Sequence, residues 1–183
     1  MKYVVLLVAC LLYTSTQAID IHHCSAVVEN DRYIVELDVV IQAPIDRVYS
    51  ILTDYSNFHQ LNESFIESDL LKRIDSTHSK TRLMTESCIF FFCFHAVFVY
   101  EIEESVGSEM IARIDPTMSD LSYGESRMRL SSIGKAQTRV QFDAVNQPSF
   151  WIPPLIGPWL LKSRMMEEVM ETFEKVEEFA QRD

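Results

Sequence analysis

The chain has 183 residues, enough for one domain with a sizeable core and too few for two ordinary ones. At 48% hydrophobic and 23% charged its composition is globular, which excludes disorder for the bulk of the chain. Sixteen lysines and arginines against 27 acids give a net charge of −11, which excludes the basic face a nucleic-acid partner needs.

Residues Met1 to Ala18 read as a secretory signal: Lys2 is a short positive start, Tyr3 to Tyr13 an apolar run, and Thr16-Gln17-Ala18 a small-x-small cleavage site. The apolar run is too short to span a bilayer. Leu7-Val8-Ala9-Cys10 also matches a bacterial lipoprotein box, so a lipid anchor at Cys10 is the alternative, although few residues precede that cysteine. Cleavage after Ala18 removes Lys2, takes the net charge from −11 to −12, and leaves Cys24, Cys88 and Cys93 in an oxidising compartment. A secreted, periplasmic protein is expected. Residues 19–31 show no clear period and read as a loose leader. Its His22-His23-Cys24 run cannot converge on one ion from a single tight turn, so no metal site is assigned.

From Tyr33 the alternation is clean. Tyr33, Val35, Leu37, Val39 and Ile41 share one face, and Glu36, Asp38 and Gln42 the other, as in a half-buried strand. Pro44 opens a short helix with apolar positions Ile45, Val48, Tyr49, Ile51 and Leu52, and Asp54 to Asn62 predict a second, shorter one. Six more strands follow: Phe65 to Ile74, Lys80 to Cys88, Cys93 to Glu104, Glu109 to Asp115, Glu125 to Ser132 and Thr138 to Gln147. The turn-sized gaps between them argue an antiparallel meander, and the absence of intervening helices argues against a doubly wound sheet. A single helix closes the chain from about Gly157 to Gln181. Trp159, Met166, Val169, Met170, Phe173, Val176 and Ala180 recur on one face and glutamates on the other. It is about 37 Å long, enough to cross the concave side of the sheet.

This order, and the run Val40-Ile41-Gln42-Ala43-Pro44-Ile45-Asp46-Arg47-Val48-Tyr49 followed by Leu52-Thr53-Asp54-Tyr55 and Phe58, resembles the START-like superfamily in its polyketide cyclase / coenzyme Q-binding branch. The segment from Pro148 to Pro158 is similar to one in secreted proteobacterial members that also carry a C-x4-C element. The resemblance covers Tyr33 to Ala180 and implies an α+β helix-grip fold over residues 32–183. In that fold a seven-stranded antiparallel sheet wraps a long C-terminal helix, and two short helices follow the first strand. It also implies a deep cavity for an apolar ligand between sheet and helix, but no single chemistry, because the fold hosts carriers, cyclases and binding modules.

Four apolar residues, Ile89 to Phe92, separate Cys88 from Cys93. As a four-residue hairpin loop they set Leu83 against Phe98 and Thr81 against Tyr100 on one face, and Glu86 against His95 and Lys80 against Glu101 on the other. That register brings the two cysteines within disulfide reach. In an uninterrupted strand, residues five apart point to opposite faces and cannot bond. A buried strand with two free thiols, or a metal site adding His95, are the rivals.

In a meander alternate loops share one end. The 89–92 tip, the long loop Pro116 to Gly124 and the Pro148 to Pro158 lead-in would then meet at the mouth that the resemblance implies, either as a ligand entrance or as a plug in which the loops bury each other. Mouth residues would be Phe90, Phe91, Phe92, Asp120, Trp151, Ile152 and Trp159. The cavity would be lined by Leu83, Phe94, Phe98, Tyr100, Met128, Leu130, Phe142, Met166, Met170 and Phe173.

No nucleophile elbow, metal or phosphate signature is present in the sequence, and no catalytic residue or cofactor is assigned. His59, His78 and His95 lie far apart and read as surface or satisfied histidines. Asp120 and Tyr123 are the polar candidates near the mouth, while Arg127 and Arg129 alternate with Met128 and Leu130 and should face solvent. The expected function is binding and transport of a lipid or an isoprenoid- or quinone-like molecule, with transient membrane contact at the mouth. The alternatives are a cyclase- or hydrolase-like enzyme acting on an aromatic or polyketide substrate, and a protein-interaction module.

Overall fold

The computed structural model describes residues 19–89, 92–150, 152 and 157–182. The expected signal segment with Cys10, and the mouth residues Phe90, Phe91 and Trp151, lie outside the described residues. In chain order the elements are β1 (Asp20–Glu29), β2 (Arg32–Ile41), α1 (Ile45–Leu52), a 3-10 turn (Phe58–Leu61), β3 (Phe65–Arg73), β4 (His78–Ile89), β5 (Phe92–Ser105), β6 (Glu109–Ile114), β7 (Leu121–Ile133), β8 (Gln137–Pro148) and α2 (Gly157–Gln181). The strands form one antiparallel sheet in the order β1-β2-β8-β7-β6-β5-β4-β3.

The sheet has one strand more than the sequence pattern predicts. Residues 20–29, expected to be a leader, pair with β2 along its whole length. Asn30 and Asp31 make the connection with φ of 51° and 62°, the two left-handed residues of a type I′ hairpin turn. β1 hid because it is an edge strand with an irregular register between Ile21 and His23, and only Ala26 within it is buried, so no alternation marks it. Other boundaries moved too. β7 starts at Leu121, four residues early, and the second short helix contracts to one 3-10 turn. β4 and β5 run to Ile89 and from Phe92, which pair, so the ladder extends one rung past the cysteines into the expected four-residue loop.

The remaining pattern carries through to the coordinates. Tyr33, Val35, Leu37, Val39 and Ile41 are all buried. Pro44 holds φ −62° at the start of α1 and presets the first turn. Across β4 and β5, Leu83 pairs with Phe98, Thr81 with Tyr100, Glu86 with His95, Lys80 with Glu101 and Cys88 with Cys93. A disulfide joins the last pair.

Leu37, Val39 and Ile41 of β2 form one core with Val140, Leu130 and Met110 of the neighbouring strands, Val48 and Leu52 of α1, and Phe173 and Val176 of α2. Each fully buried aliphatic side chain here contributes about 1.5–3 kcal/mol. α2 packs over β1 and β2 and against α1, so this core closes one end of the concave face. Towards the other end the space between sheet and helix is not filled by side chains.

Candidate ligand-binding cavity

That space is a cavity of about 790 Å³. Tyr33 and Val35 line it from β2, Leu83 from β4, Phe98 and Tyr100 from β5, Met128 from β7, Phe142 from β8, and Leu161, Met165 and Phe173 from α2. β2 and β7 run from cavity wall into solid core: Val35 gives way to Leu37 and Val39, and Met128 to Leu130.

The volume comes from small side chains that the sequence pattern did not single out. Ala112, Ser126 and Ala144 are consecutive partners across β6, β7 and β8, and all three line the cavity. One inward-facing row of three strands thus carries almost no side-chain bulk. Alternation places these residues on the inner face, but only the register shows that they adjoin. That juxtaposition was the missed signal.

Of the residues expected to line the cavity, Leu83, Phe98, Tyr100, Met128, Phe142 and Phe173 do so. Phe94 belongs to β5 by its backbone, and its side chain and that of Phe92 lie outside the description. Leu130 is buried in the closed core. Met170 packs on that same core, which includes Ile19 ahead of β1, and Met166 is half-buried off the cavity wall. The correction follows from the extra strand. With α2 resting on β1 and β2, its Met166 and Met170 side turns away, and the stripe Leu161, Met165, Glu168 and Thr172 faces the cavity.

At the mouth, Asp120 and Ile152 line the cavity with Phe150, whereas Trp159 is 72% exposed and lies off the lining. Asp120 is a positioning group. Its carboxylate accepts the Val97 N–H at 2.8 Å, its own N–H donates to the Val97 carbonyl at 2.9 Å, and its carbonyl accepts the Ser149 N–H at 3.1 Å. This one residue ties the β6–β7 loop and the segment after β8 to β5. Tyr123 stacks under the Arg32 guanidinium, 4.9 Å from the ring centroid. Arg129 pairs with Asp143 on the outer face and Arg127 with Glu109, as alternation requires.

Polar groups on the wall gather in two places. Tyr55 reaches Glu104, which is 6% exposed and accepts from the Tyr55 hydroxyl at 3.0 Å, the Tyr49 hydroxyl at 2.6 Å and Arg73 at 3.1 Å. Burial, reinforced by Glu104, pushes the Tyr49 hydroxyl up to about 12 and Tyr55 higher still. This network is internally satisfied. The second gathering is Tyr100 on β5 with Arg164 and Glu168 on α2. Burial raises the Glu168 carboxyl against the opposing pull of Ser64, Arg164 and Ser87. Burial also raises the Tyr100 hydroxyl, with Glu168 adding to the effect.

The three histidines are partnered. His59 meets Ser68 at 2.9 Å, His78 meets Asp75 at 2.9 Å and His95 meets Glu86 at 2.7 Å. No helix among the described residues is long and apolar enough to cross a membrane.

No protein-family model and no curated protein sequence matches the chain. Solved structures do. The Zhui aromatase/cyclase from Streptomyces sp. R1128 superposes with a TM-score of 0.71 at 13% identity, covering 82% of this chain and 94% of that one. A START superfamily protein from Mycobacterium smegmatis gives 0.63 at 19% identity, covering 79% and 97%. A STAR-related lipid transfer protein from Xanthomonas axonopodis gives 0.61 at 15% identity, covering 87% and 99%. Identities this low speak to architecture alone, and on that architecture the agreement is consistent: the chain has the START-like helix-grip fold.

Proposed function

We propose that the protein binds a hydrophobic small molecule, of lipid or isoprenoid size, between the sheet and α2, and carries it to or from a membrane surface. The observation behind this is the cavity itself. About 790 Å³ lined by Leu83, Phe98, Met128, Phe142, Met165 and Phe173 is within the range of sites that enclose most of a drug-sized ligand. The fold is shared with a lipid transfer protein, which supports the carrier reading, and with an aromatase/cyclase, which keeps a cyclase-like activity as the second reading.

Water is a poor occupant for such walls, and expelling it onto an apolar ligand supplies the driving force. At the mouth, exposed Phe150 and half-buried Ile152 offer apolar surface to a bilayer. The net charge of −11 opposes adsorption to anionic lipid, so the surface that suits this protein is a neutral one.

Native mass spectrometry of protein purified from its own host, followed by uptake assays with phosphatidylcholine vesicles carrying a labelled lipid, tests the proposal. A stoichiometric lipid-mass adduct is expected, together with its loss when Ala112→Phe and Ser126→Phe fill the row of small residues. Absence of any adduct and of any uptake would overturn it.

A further inference from the structure

We infer that Tyr100 and Glu168 form a clasp inside the cavity that binds a hydroxyl group on an otherwise apolar ligand, in preference to a phosphate head group. This rests on the hydrophobic-ligand reading and adds to it the chemistry of the ligand's polar end.

Glu168 stands on the side of α2 that faces the cavity, one helical turn from Arg164, and Tyr100 lines the same cavity from β5. The Arg164 Nε is buried out of a ligand's reach, with no hydrogen-bond partner among the described residues, and Nη1 of the same guanidinium donates to Glu167 at 2.8 Å. The Tyr100 hydroxyl has an electrostatic coupling to Glu168 and no hydrogen bond among the described residues. Glu168 accepts from the Ser87 hydroxyl at 3.3 Å and has further acceptor capacity. An unused donor and a carboxyl with spare capacity thus line one low-dielectric space, where unmet polar groups are costly.

A hydroxyl complements both groups. Its oxygen accepts from Tyr100, and its proton donates to Glu168. A hydrocarbon leaves both unmet. A phosphate would need a positive charge not already neutralised, and among the described residues the arginines on the lining are answered by carboxylates: Arg164 by Glu167, and Arg82 by Glu67 at 2.8 Å and Asp69 at 2.7 Å. A phosphate placed here would also face the carboxyl of Glu168.

The test compares dodecan-1-ol, dodecane and dodecyl phosphate as competitors for a fluorescent apolar probe, with wild type, Tyr100→Phe and Glu168→Leu. Dodecan-1-ol is expected to bind at least about tenfold more tightly than dodecane, with dodecyl phosphate weaker than the alcohol. Each variant should cut the alcohol-to-alkane ratio roughly fivefold while leaving dodecane unchanged. If dodecane binds and the alcohol gains nothing, if neither variant alters the ratio, or if the phosphate binds best, the clasp is overturned and the cavity reading stands. If no competitor binds at all, the cavity reading fails and takes the clasp with it.

Discussion

Gly124 on β7 leaves room for Ile114 on β6: a Cβ built on Gly124 would stand 2.4 Å from Ile114 Cγ1 and 3.3 Å from its Cβ, with Asn146 Oδ1 at 3.0 Å. Ile114 is paired with Tyr100 on its other side, so the glycine sets how the sheet wall closes beside the proposed clasp. The clash involves the root of a β-branched side chain, which cannot swing clear. Gly124→Ala should cost about 1–3 kcal/mol by overpacking. Adding Ile114→Ala should make the double variant less destabilised than the sum of the two single changes. Urea unfolding of the four proteins of the cycle measures this, and strict additivity would show that the two positions do not touch.

The mouth should govern the rate of transfer and leave affinity alone. Trp159 is 72% exposed and lies off the cavity lining. Trp159→Glu should slow ligand pick-up from phosphatidylcholine vesicles roughly tenfold or more, by adding charge to a surface that must meet lipid. Affinity for the same ligand offered from solution should change by less than about threefold, because the cavity wall is untouched. An equal loss in both assays would make this residue part of the binding site and not of a membrane contact.

Glu168 gives the protein a pH signature with a defined sign. Burial raises its folded value above the usual carboxylate range, so the native state holds the proton more tightly than the unfolded chain. Its favourable contribution is complete below the unfolded value of about 4.3 and is lost as pH rises through the folded one. Wild type should therefore lose melting temperature relative to Glu168→Gln as pH is raised from about 4 to neutrality. Asp115 has the opposite sign. Lys80, with the Thr117 hydroxyl and N–H, lowers it to about 2, so its contribution is lost as pH falls. Since Asp115 is present in both proteins, it cancels in the comparison. A temperature difference that stays flat or grows the other way with pH would show that burial does not raise the Glu168 carboxyl in the folded state.

The disulfide should matter locally more than globally. Cys88 and Cys93 are five residues apart, and the ladder from His78↔Glu103 to Ile89↔Phe92 fixes their register without it. The chain-entropy cost of so short a loop bounds its global contribution at about 2 kcal/mol. Cys88→Ser with Cys93→Ser should lower the urea midpoint by no more than that bound implies. Amide exchange should quicken at the tip of β4 and β5 and not along β2. Global unfolding on reduction would contradict this division.

The register explains why some of the molecule was legible in its sequence and some was not. Strong alternation in β2, the proline before α1, opposite charges at Glu86 and His95 and at Lys80 and Glu101, and the spacing of the cysteines are local signals, each tied to a period or a turn. From them the hairpin pairing follows, because a one-residue slip would turn every apolar side chain to the opposite face and the cysteine and charge pairs select among the registers that remain. β1 was not legible, since an edge strand exposed along most of its length carries no alternation. Its absence from the sequence reading also misplaced the face of α2 by about one residue step, so Met166 and Met170 were expected on the cavity wall in place of Met165 and Glu168.

By itself the sequence determined the antiparallel meander, the long closing helix and the inner faces of β2, β4 and β5. Only the tertiary structure decided that the inner face is partly unfilled. A cavity is a property of adjacency: Ala112, Ser126 and Ala144 are unremarkable on their own strands and leave space only because the sheet sets them side by side. The same holds for Tyr100 on β5 and Glu168 on α2, which are distant in the chain and line one cavity because α2 lies across the sheet.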